Sequence, residues 1–359
     1  MDRAPASEER WRAFLHGGRG ALRAKFTSMS SPGRLLREHA RLIDRTLKEI
    51  WQVAGPAAEA TLVATGGYGR GELFPCSDVD LLVLLANEPS PDDQERLERL
   101  VGLLWDIGLE AGHSVRTVEA CLEAARADIT IETALLEARH LAGSAALYRR
   151  LQAAMRGALD PIAFLKAKRL EQEQRHAKHQ DTPYSLEPNL KEAPGGLRDL
   201  QVVRWIARAI GIGHRWRDLE RKGLIVHSEA LQLARHEATL QNLRIRLHYL
   251  AGRREDRIVF DYQNALAEQC GMRGGAVRRA GERLMQRYYR TAKAITQLNT
   301  ILMQNFEALF APEQGASARA LNERFRARGE LLEVTDETLF DLDPRAILES
   351  FLLMQQHRE

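Results

Sequence analysis

The stretch Thr65–Leu81, TGGYGRGELFPCSDVDL, decides how the rest of the chain is read. Residues 60–64 (ATLVA) before it are short and apolar, and residues 79–85 (VDLLVLL) form a second apolar run of strand length. A glycine-rich turn joins the two. Side chains alternate faces along a strand, so Asp78 and Asp80 project together while Val79 and Leu81 turn to the core. Two carboxylates on one rigid face suit Mg²⁺, a hard cation that takes oxygen ligands and bridges phosphates. Gly66 and Gly67 lack Cβ atoms and let a triphosphate approach the backbone closely. Arg70 follows them and adds positive charge. An isolated Asp-x-Asp is a common surface turn, and a Gly-Gly pair is commoner still. It is the order strand, Gly-Gly, Asp-apolar-Asp, apolar run that points to nucleotide chemistry.

Working outward, the texture alternates. Residues 33–53 place Leu35, Leu36, Leu42, Ile43, Leu47 and Ile50 on one helical stripe after a Ser-Pro start. A helix is expected from Asp92 to about Leu104, a strand over Asp106–Thr117 and a helix near Val118–Arg126. Such alternation indicates a small α/β domain. From Ala154 the pattern is helical: Phe164–Lys178, Leu197–Ile210, Ser228–Gly252 and Gly275–Phe310 carry apolar residues three and four apart, with prolines and glycines at the breaks. The expected organisation is an N-terminal helical segment (1–56), the α/β domain (57–150), a helical bundle (151–310), and a tail (311–359). The tail has a polar linker, PEQGASARA, and a final helix over 346–356. The fold class is therefore α+β.

The 359 residues carry 52 Lys and Arg against 49 Asp and Glu, a net charge of +3 that gives no electrostatic footprint for nucleic acid. No basic stripe with interleaved aromatics appears, which argues against a nucleic-acid polymerase. The three cysteines are widely separated and include no CxxC pair, so neither a zinc site nor a disulfide framework is expected. A polar N-terminus and the absence of any bilayer-length apolar run lead to the expectation of a cytoplasmic protein with no membrane partner.

A second glycine pair lies in residues 188–205, PNLKEAPGGLRDLQVVRW. Gly195 and Gly196 directly precede a helix, and the N–H groups and partial positive charge of a helix start favour an anion. Lys191 and Arg198 flank that point and are read as a clamp on the nucleotide or its acceptor. The alternative is a Pro-Gly turn with solvated charges.

These residues carry a resemblance. Gly-Gly followed by Asp-apolar-Asp resembles the signature of the polymerase-β-type nucleotidyltransferase superfamily. The longer string GGYGRGELFPCSDVDLL (66–82) is similar to that of the bifunctional PII uridylyltransferase/uridylyl-removing enzymes. GLEAGHSVRT (108–117), TALLEARHLAG (133–143), residues 188–205 and AILESFLLMQQH (346–357) agree with the same family. The Lys, Gly-Gly, Arg-Asp element also resembles one in adenylyltransferases.

The resemblance implies transfer of UMP from UTP to a tyrosine of the PII signal protein with release of pyrophosphate, in the regulation of nitrogen assimilation. It implies Asp78 and Asp80 as ligands of Mg²⁺ or Mn²⁺, and Gly66, Gly67 and Arg70 as the triphosphate cradle. A third catalytic and metal-binding carboxylate sits on a neighbouring strand in that superfamily. Asp106 is chosen by position, with Glu110 on the same strand face as the alternative. A protein adenylyltransferase of the glutamine-synthetase type and a non-catalytic nucleotide-binding regulator are the rival readings. The family continues into an HD-type phosphohydrolase and ligand-sensing ACT domains. This sequence contains no His-Asp dipeptide, so transfer without hydrolytic removal or glutamine sensing is the expectation.

Four further features are read as structural. Glu137 and Arg139 are expected to be an internal salt-linked pair, and His176 and His179 to lie on a solvated helix face. The basic run 242–256 is expected to be solvated as well. Cys76 is assigned no chemistry.

Overall fold

The strands on either side of the glycine turn pair with each other and fix the frame for everything around them. The computed structural model describes residues 4–26, 31–56, 59–275, 279–310, 319–328, 331–336 and 338–356. The chain opens with two helices, α1 (Ala4–Phe26) and α2 (Pro32–Ala54). The stripe expected on α2 is buried except for the half-buried Leu42, and the helix stops at Gly55, whose left-handed backbone lets its N–H reach Trp51 O at 3.3 Å. α1 lies within the N-terminal segment expected to be helical, but only the stripe of α2 stood out, because HGGRG interrupts the apolar face of α1. Trp11, Leu15, Leu22 and Phe26 nevertheless bury one side of it.

β1 (Thr61–Ala64), the single helical turn α3 (Gly66–Gly69), β2 (Val79–Leu85), α4 (Pro91–Asp106), β3 (Ala111–Thr117), α5 (Val118–Ala127), α6 (Ile129–Leu136), β4 (Arg139–Gly143) and α7 (Ala145–Ala158) follow. The strand order is β3-β2-β1-β4, with β2 antiparallel to β1 and parallel to β3. The sheet is thus mixed, and helices cover both faces. Val79, Leu81, Val83 and Leu85 pack in one cluster with Ile43, Leu47 and Ile50 of α2 and Leu100, Leu103 and Leu104 of α4. Leu82 and Leu84 pack on the other face with Val118 and Cys121 of α5 and Leu147 and Leu151 of α7. Burial on both faces is why β2 reads as a continuous apolar run.

The expected strand over Asp106–Thr117 requires a correction. α4 continues through Trp105 and ends at Asp106, because Gly108 takes a left-handed conformation (φ +70°) and closes the helix. Its N–H reaches Trp105 O at 2.9 Å, and the Leu109 N–H reaches Leu104 O at 3.0 Å. The strand β3 itself begins only at Ala111, in register with Val79 of β2.

The helical half comprises α8 (Pro161–Lys178), α9 (Leu197–Ala209), α10 (Trp216–Arg221), α11 (His227–Ala251), α12 (Phe260–Gln269) and α13 (Ala280–Phe310). The sequence reading divided 57–150 from 151–310, yet Met1–Glu307 is one compact unit. Polar contacts stitch the halves together: Trp205 Nε1 donates to Glu137 at 2.5 Å, Arg204 meets Glu72 at 3.5 Å, and Arg254 meets Asp78 at 3.0 Å. Architecture is therefore α+β, a small mixed sheet with its helices joined to a helical bundle.

Ala308–Glu359 forms a second unit. Residues 311–318 of the expected polar linker lie outside the described residues. Beyond them the sequence reading missed a three-stranded antiparallel sheet, β5 (Arg319–Ala320), β6 (Phe325–Arg328) and β7 (Leu331–Val334). α14 (Leu339–Leu342) and α15 (Ala346–Gln356) follow, the latter with the expected bounds. Among the described residues no helix is long and apolar enough to cross a membrane.

Two buried features set measurable limits on stability. A Cβ added at Gly195 (φ +75°) would stand 2.2 Å from Ala292 O on α13. Gly195→Ala is expected to cost at least about 2 kcal/mol through strain and collision; an unchanged denaturation midpoint contradicts this packing. His39 is 4% exposed, its Nδ1–H donates to Leu73 O at 3.1 Å, and burial lowers its pKa to about 4. The unfolded chain takes up this proton below about pH 6.5 and the folded chain only below about 4. Its contribution is full above 6.5 and is lost as pH falls to 4, about 3 kcal/mol in all. His39→Asn keeps a donor to Leu73 O, so the stability gap to the parent chain is expected to narrow by that amount between pH 7 and pH 4. A constant gap in chemical denaturation contradicts the buried neutral imidazole.

Candidate active site

The glycine turn is held in place from beneath. Tyr68, 1% exposed, donates from its hydroxyl to Asp44 of α2 at 2.5 Å. Arg139 on β4 donates to both oxygens of the same carboxylate, at 2.8 and 3.1 Å, and also to the carbonyls of Tyr68 and Gly69. Bidentate pairing of this kind fixes direction as well as distance. Arg139 is thus salt-linked to Asp44, not to Glu137 as the sequence reading had it. The Thr65 N–H binds Asp80 O at 3.0 Å and ties the turn to the start of β2.

Asp80 lies in the space that this turn leaves. Gly66 has φ +54°, and a Cβ there would come within 3.1 Å of the Asp80 carboxylate. On β3, Gly112 stands opposite Asp80 in register, where a Cβ would come within 3.0 Å of its other oxygen. Both neighbours of this carboxylate therefore lack side chains. Burial raises the Asp80 pKa to about 6, the nearby Asp78 adds to the rise, and Lys191 and Arg254 oppose it. Asp78, half exposed, pairs with Arg254 at 3.0 Å.

Asp78 and Asp80, Gly66 and Gly67, Arg70, and Lys191 and Arg198 all line one cleft of about 260 Å³. Asp106 does not. It is exposed at the end of α4, where its carbonyl accepts from Arg12. Glu110 is also exposed and outside the cleft; its carbonyl accepts the Val79 N–H at 2.9 Å. Among the described residues no group of three or more His, Cys, Asp or Glu is arranged to hold a metal ion. Asp78 and Asp80 share the cleft with Glu72, Glu137 and Glu171, and a cation beside Asp80 would oppose the rise in its pKa.

Arg70 differs from the sequence expectation in its electrostatics. It donates to Glu72 at 3.2 Å and to Glu137 at 2.5 Å, so its charge is already balanced. The helix start after Gly196 also differs. The Leu197 N–H donates to Leu190 O at 3.0 Å and the Arg198 N–H to Lys191 O at 2.9 Å. Those backbone donors are taken by the loop itself, so recognition of an anion here falls to side chains. Lys191 is the prominent one: burial, then Arg198, lowers its pKa, and it meets Glu192 at 3.4 Å.

Several cleft residues escaped the sequence reading. Arg254 and Arg244 come from the run 242–256 that had been assigned to solvent, and both line the cleft. Arg244 is buried and pairs with Asp256 at 2.5 Å. His176 is likewise no solvated residue, since it meets the buried Asp199 at 2.9 Å. Lys168 (1% exposed) lies 4.7 Å from the Trp205 ring centroid, and Arg198 stacks over the same ring at 5.2 Å. Trp205 stands inside the string 188–205, and the four charges of RRED (253–256) were the available signal for Arg254. Neither signal says which surface the residue meets.

Comparison with known proteins agrees with this geometry. A nucleotidyltransferase domain model matches residues 42–134, a GlnD PII-uridylyltransferase model residues 163–303, and a model of the uridylyltransferase GlnD third domain residues 325–359. Relatives described as bifunctional uridylyltransferase/uridylyl-removing enzyme include one from Cupriavidus pinatubonensis, 52% identical over 97% of this chain and 40% of its own length. One from Nitrosospira multiformis is 50% identical over 99% of this chain and 41% of its own length. Another from Bordetella parapertussis is 52% identical over 96% and 40%. The chain thus spans about two fifths of the length of these relatives. With its sheet, its paired aspartates and its helical half all accounted for in these matches, the chain belongs to the family of bifunctional uridylyltransferase/uridylyl-removing enzymes.

Proposed function

We propose that this chain transfers UMP from UTP to a tyrosine of the PII signal protein and releases pyrophosphate. The observation that carries the reading is the single cleft in which Asp78 and Asp80 face the Gly66–Gly67 turn and the Lys191–Arg198 loop. The relatives' name points to a uridylyl group and the matched PII-uridylyltransferase model to the modified protein. In the reaction the tyrosyl oxygen bonds to the α-phosphorus of UTP, the bond to the β-phosphate oxygen breaks, and the hydroxyl proton leaves to solvent.

Asp78 and Asp80 are the residues to hold Mg²⁺, or Mn²⁺ in its place. When bound, such an ion supplies charge neutralisation at the phosphates and a more acidic attacking hydroxyl. Gly66 and Gly67 let the phosphates approach the backbone. Lys191 and Arg254 contribute the positive charge that Arg70 does not, and Arg198 steadies the loop through Glu192. Arg70 instead holds Glu72 and Glu137 in the cleft wall, a positioning role. The fixed charges act without rearranging during the reaction, which is the main source of rate in such sites. The protein's work is placement and charge, with no covalent intermediate on the enzyme.

The test is to incubate the chain with purified PII, Mg²⁺ and labelled UTP or ATP, and to follow label on the PII tyrosine. Label from UTP is expected, with Asp80→Asn lowering the rate at least about 100-fold while circular dichroism is unchanged. Near-parental transfer by a folded Asp80→Asn chain contradicts the metal assignment, and preferential AMP transfer contradicts the choice of UTP.

Lys191→Ala removes a partly buried charge facing the phosphates. An increase in KM for UTP of about tenfold or more is expected, the scale of one charge-assisted hydrogen bond. Unchanged kcat and KM would return the loop to a purely structural role.

A further inference from the structure

A second cavity, of about 520 Å³, lies apart from the cleft among α1, α11 and the segment before Asp78. Arg12, Arg19 and Arg23 line it from α1, and no Asp or Glu is among its lining residues. Leu15, Leu22, Leu35 and Ile107 give it apolar walls. Its described lining is thus basic on an otherwise apolar surface, with Glu110 outside the lining as the acid that acts on Arg19, and this balance favours an anion with an apolar body.

The buried polar atoms add a second requirement. His39 is 4% exposed and lines the cavity. Its Nδ1–H is used by Leu73 O, which leaves Nε2 as a bare acceptor, and Nε2 has no hydrogen-bond partner among the described residues. Arg19 Nε, a donor, is likewise buried without a partner among them. Burial and the Arg19 charge lower the His39 pKa to about 4, so the imidazole is neutral near pH 7 and accepts rather than donates at Nε2. A buried acceptor and a buried donor that both line the cavity unpaired are costly, and a ligand that satisfies both removes that cost.

We propose that this cavity binds a small organic anion that carries an apolar body and a hydroxyl or amine N–H donor. The anionic group meets Arg19 and its neighbours on α1, and the donor meets His39 Nε2. A free α-ammonium group is disfavoured among three arginines, so a hydroxy acid or a neutral N–H compound is the class indicated.

The location gives the site a reason to matter. Pro75 and Cys76 line the cavity and stand three and two residues before Asp78, so it backs onto the segment that carries a cleft carboxylate. His248, fully buried, lines it from α11 and accepts the Cys76 N–H at 3.3 Å through Nδ1. Its other ring nitrogen meets Asp256 at 3.3 Å, and Asp256 holds Arg244 of the cleft. A ligand here contacts the groups that fix the cleft from behind, and the inference does not depend on which nucleotide the cleft takes.

Anilinonaphthalene sulfonate is a suitable probe, since it combines an anion, an apolar body and one N–H donor and brightens in apolar sites. Phenylnaphthylamine has the same body and donor without the anion. Fluorescence titration of the whole chain is expected to give one saturable site for the sulfonate, with the neutral amine at least tenfold weaker. Arg19→Gln is expected to weaken the sulfonate at least tenfold. Gly20→Leu is expected to do the same by filling the cavity, because Gly20 lines it and a Cβ there meets nothing within 4 Å. Leucine also favours the helix more than glycine, so this second variant folds even where loss of Arg19 does not. Thermal melts identify the folded variants. Equal affinity for the amine and the sulfonate, or sulfonate binding unchanged in the folded variants, would overturn the proposal.

Discussion

Asp80 on β2 and Asp78 just before the strand repel each other, and the charges of the helical half are placed against that repulsion. Asp80 is the more buried of the pair, and its pKa rises to about 6 through burial and through Asp78. The opposing charges, Lys191 and Arg254, both come from the helical half. A sheet domain alone would present the acidic pair without these counter-charges. The helical half is therefore a wall of the site, which explains why residues 1–307 form one compact unit.

The junction between the halves is polar to an unusual degree for buried surface. Glu72 accepts from Arg70 and Arg204, and burial is outweighed there by the two guanidinium charges, so its pKa falls. Glu137 joins Arg70 to Trp205, and Glu237 joins Arg204 to Trp216. Glu72 and Glu137 each take a donor from the helical half, and Glu237 is matched within that half, as burial of charge requires. Such pairing contributes less to stability than an apolar interface of the same size, but it specifies one docking of the two halves. Arg70, which the sequence placed among the phosphate ligands, belongs to this junction.

The sequence was legible where the code is local. Strand alternation gave Asp78 and Asp80 a common face, and a period of three to four residues gave α8, α9, α11 and α13 nearly to their ends. It failed where the deciding contact is long-range or where a single backbone angle intervenes. Asp106 was misplaced because Gly108 closes α4 beyond it, a left-handed residue that a run of apolar positions does not reveal. The anion-binding reading of the helix after Gly196 failed because the loop folds back and its carbonyls occupy the N–H groups. Arg254 is exposed as read, but nothing in RRED says that its neighbour is Asp78, 176 positions earlier.

The central proposal is that Asp78 and Asp80, at the start of β2, and the basic loop of the helical half face each other and hold a metal-bound nucleotide between them. A crystal structure of the chain with Mg²⁺ and a UTP analogue that resists cleavage at the α,β bridge tests it most directly. The predicted result is Mg²⁺ about 2.0–2.1 Å from a carboxylate oxygen of both Asp78 and Asp80, with the triphosphate over Gly66–Gly67 and within hydrogen-bond reach of Lys191. Metal ligated by Asp106 or Glu110, or a nucleotide bound away from the Lys191–Arg198 loop, would contradict it.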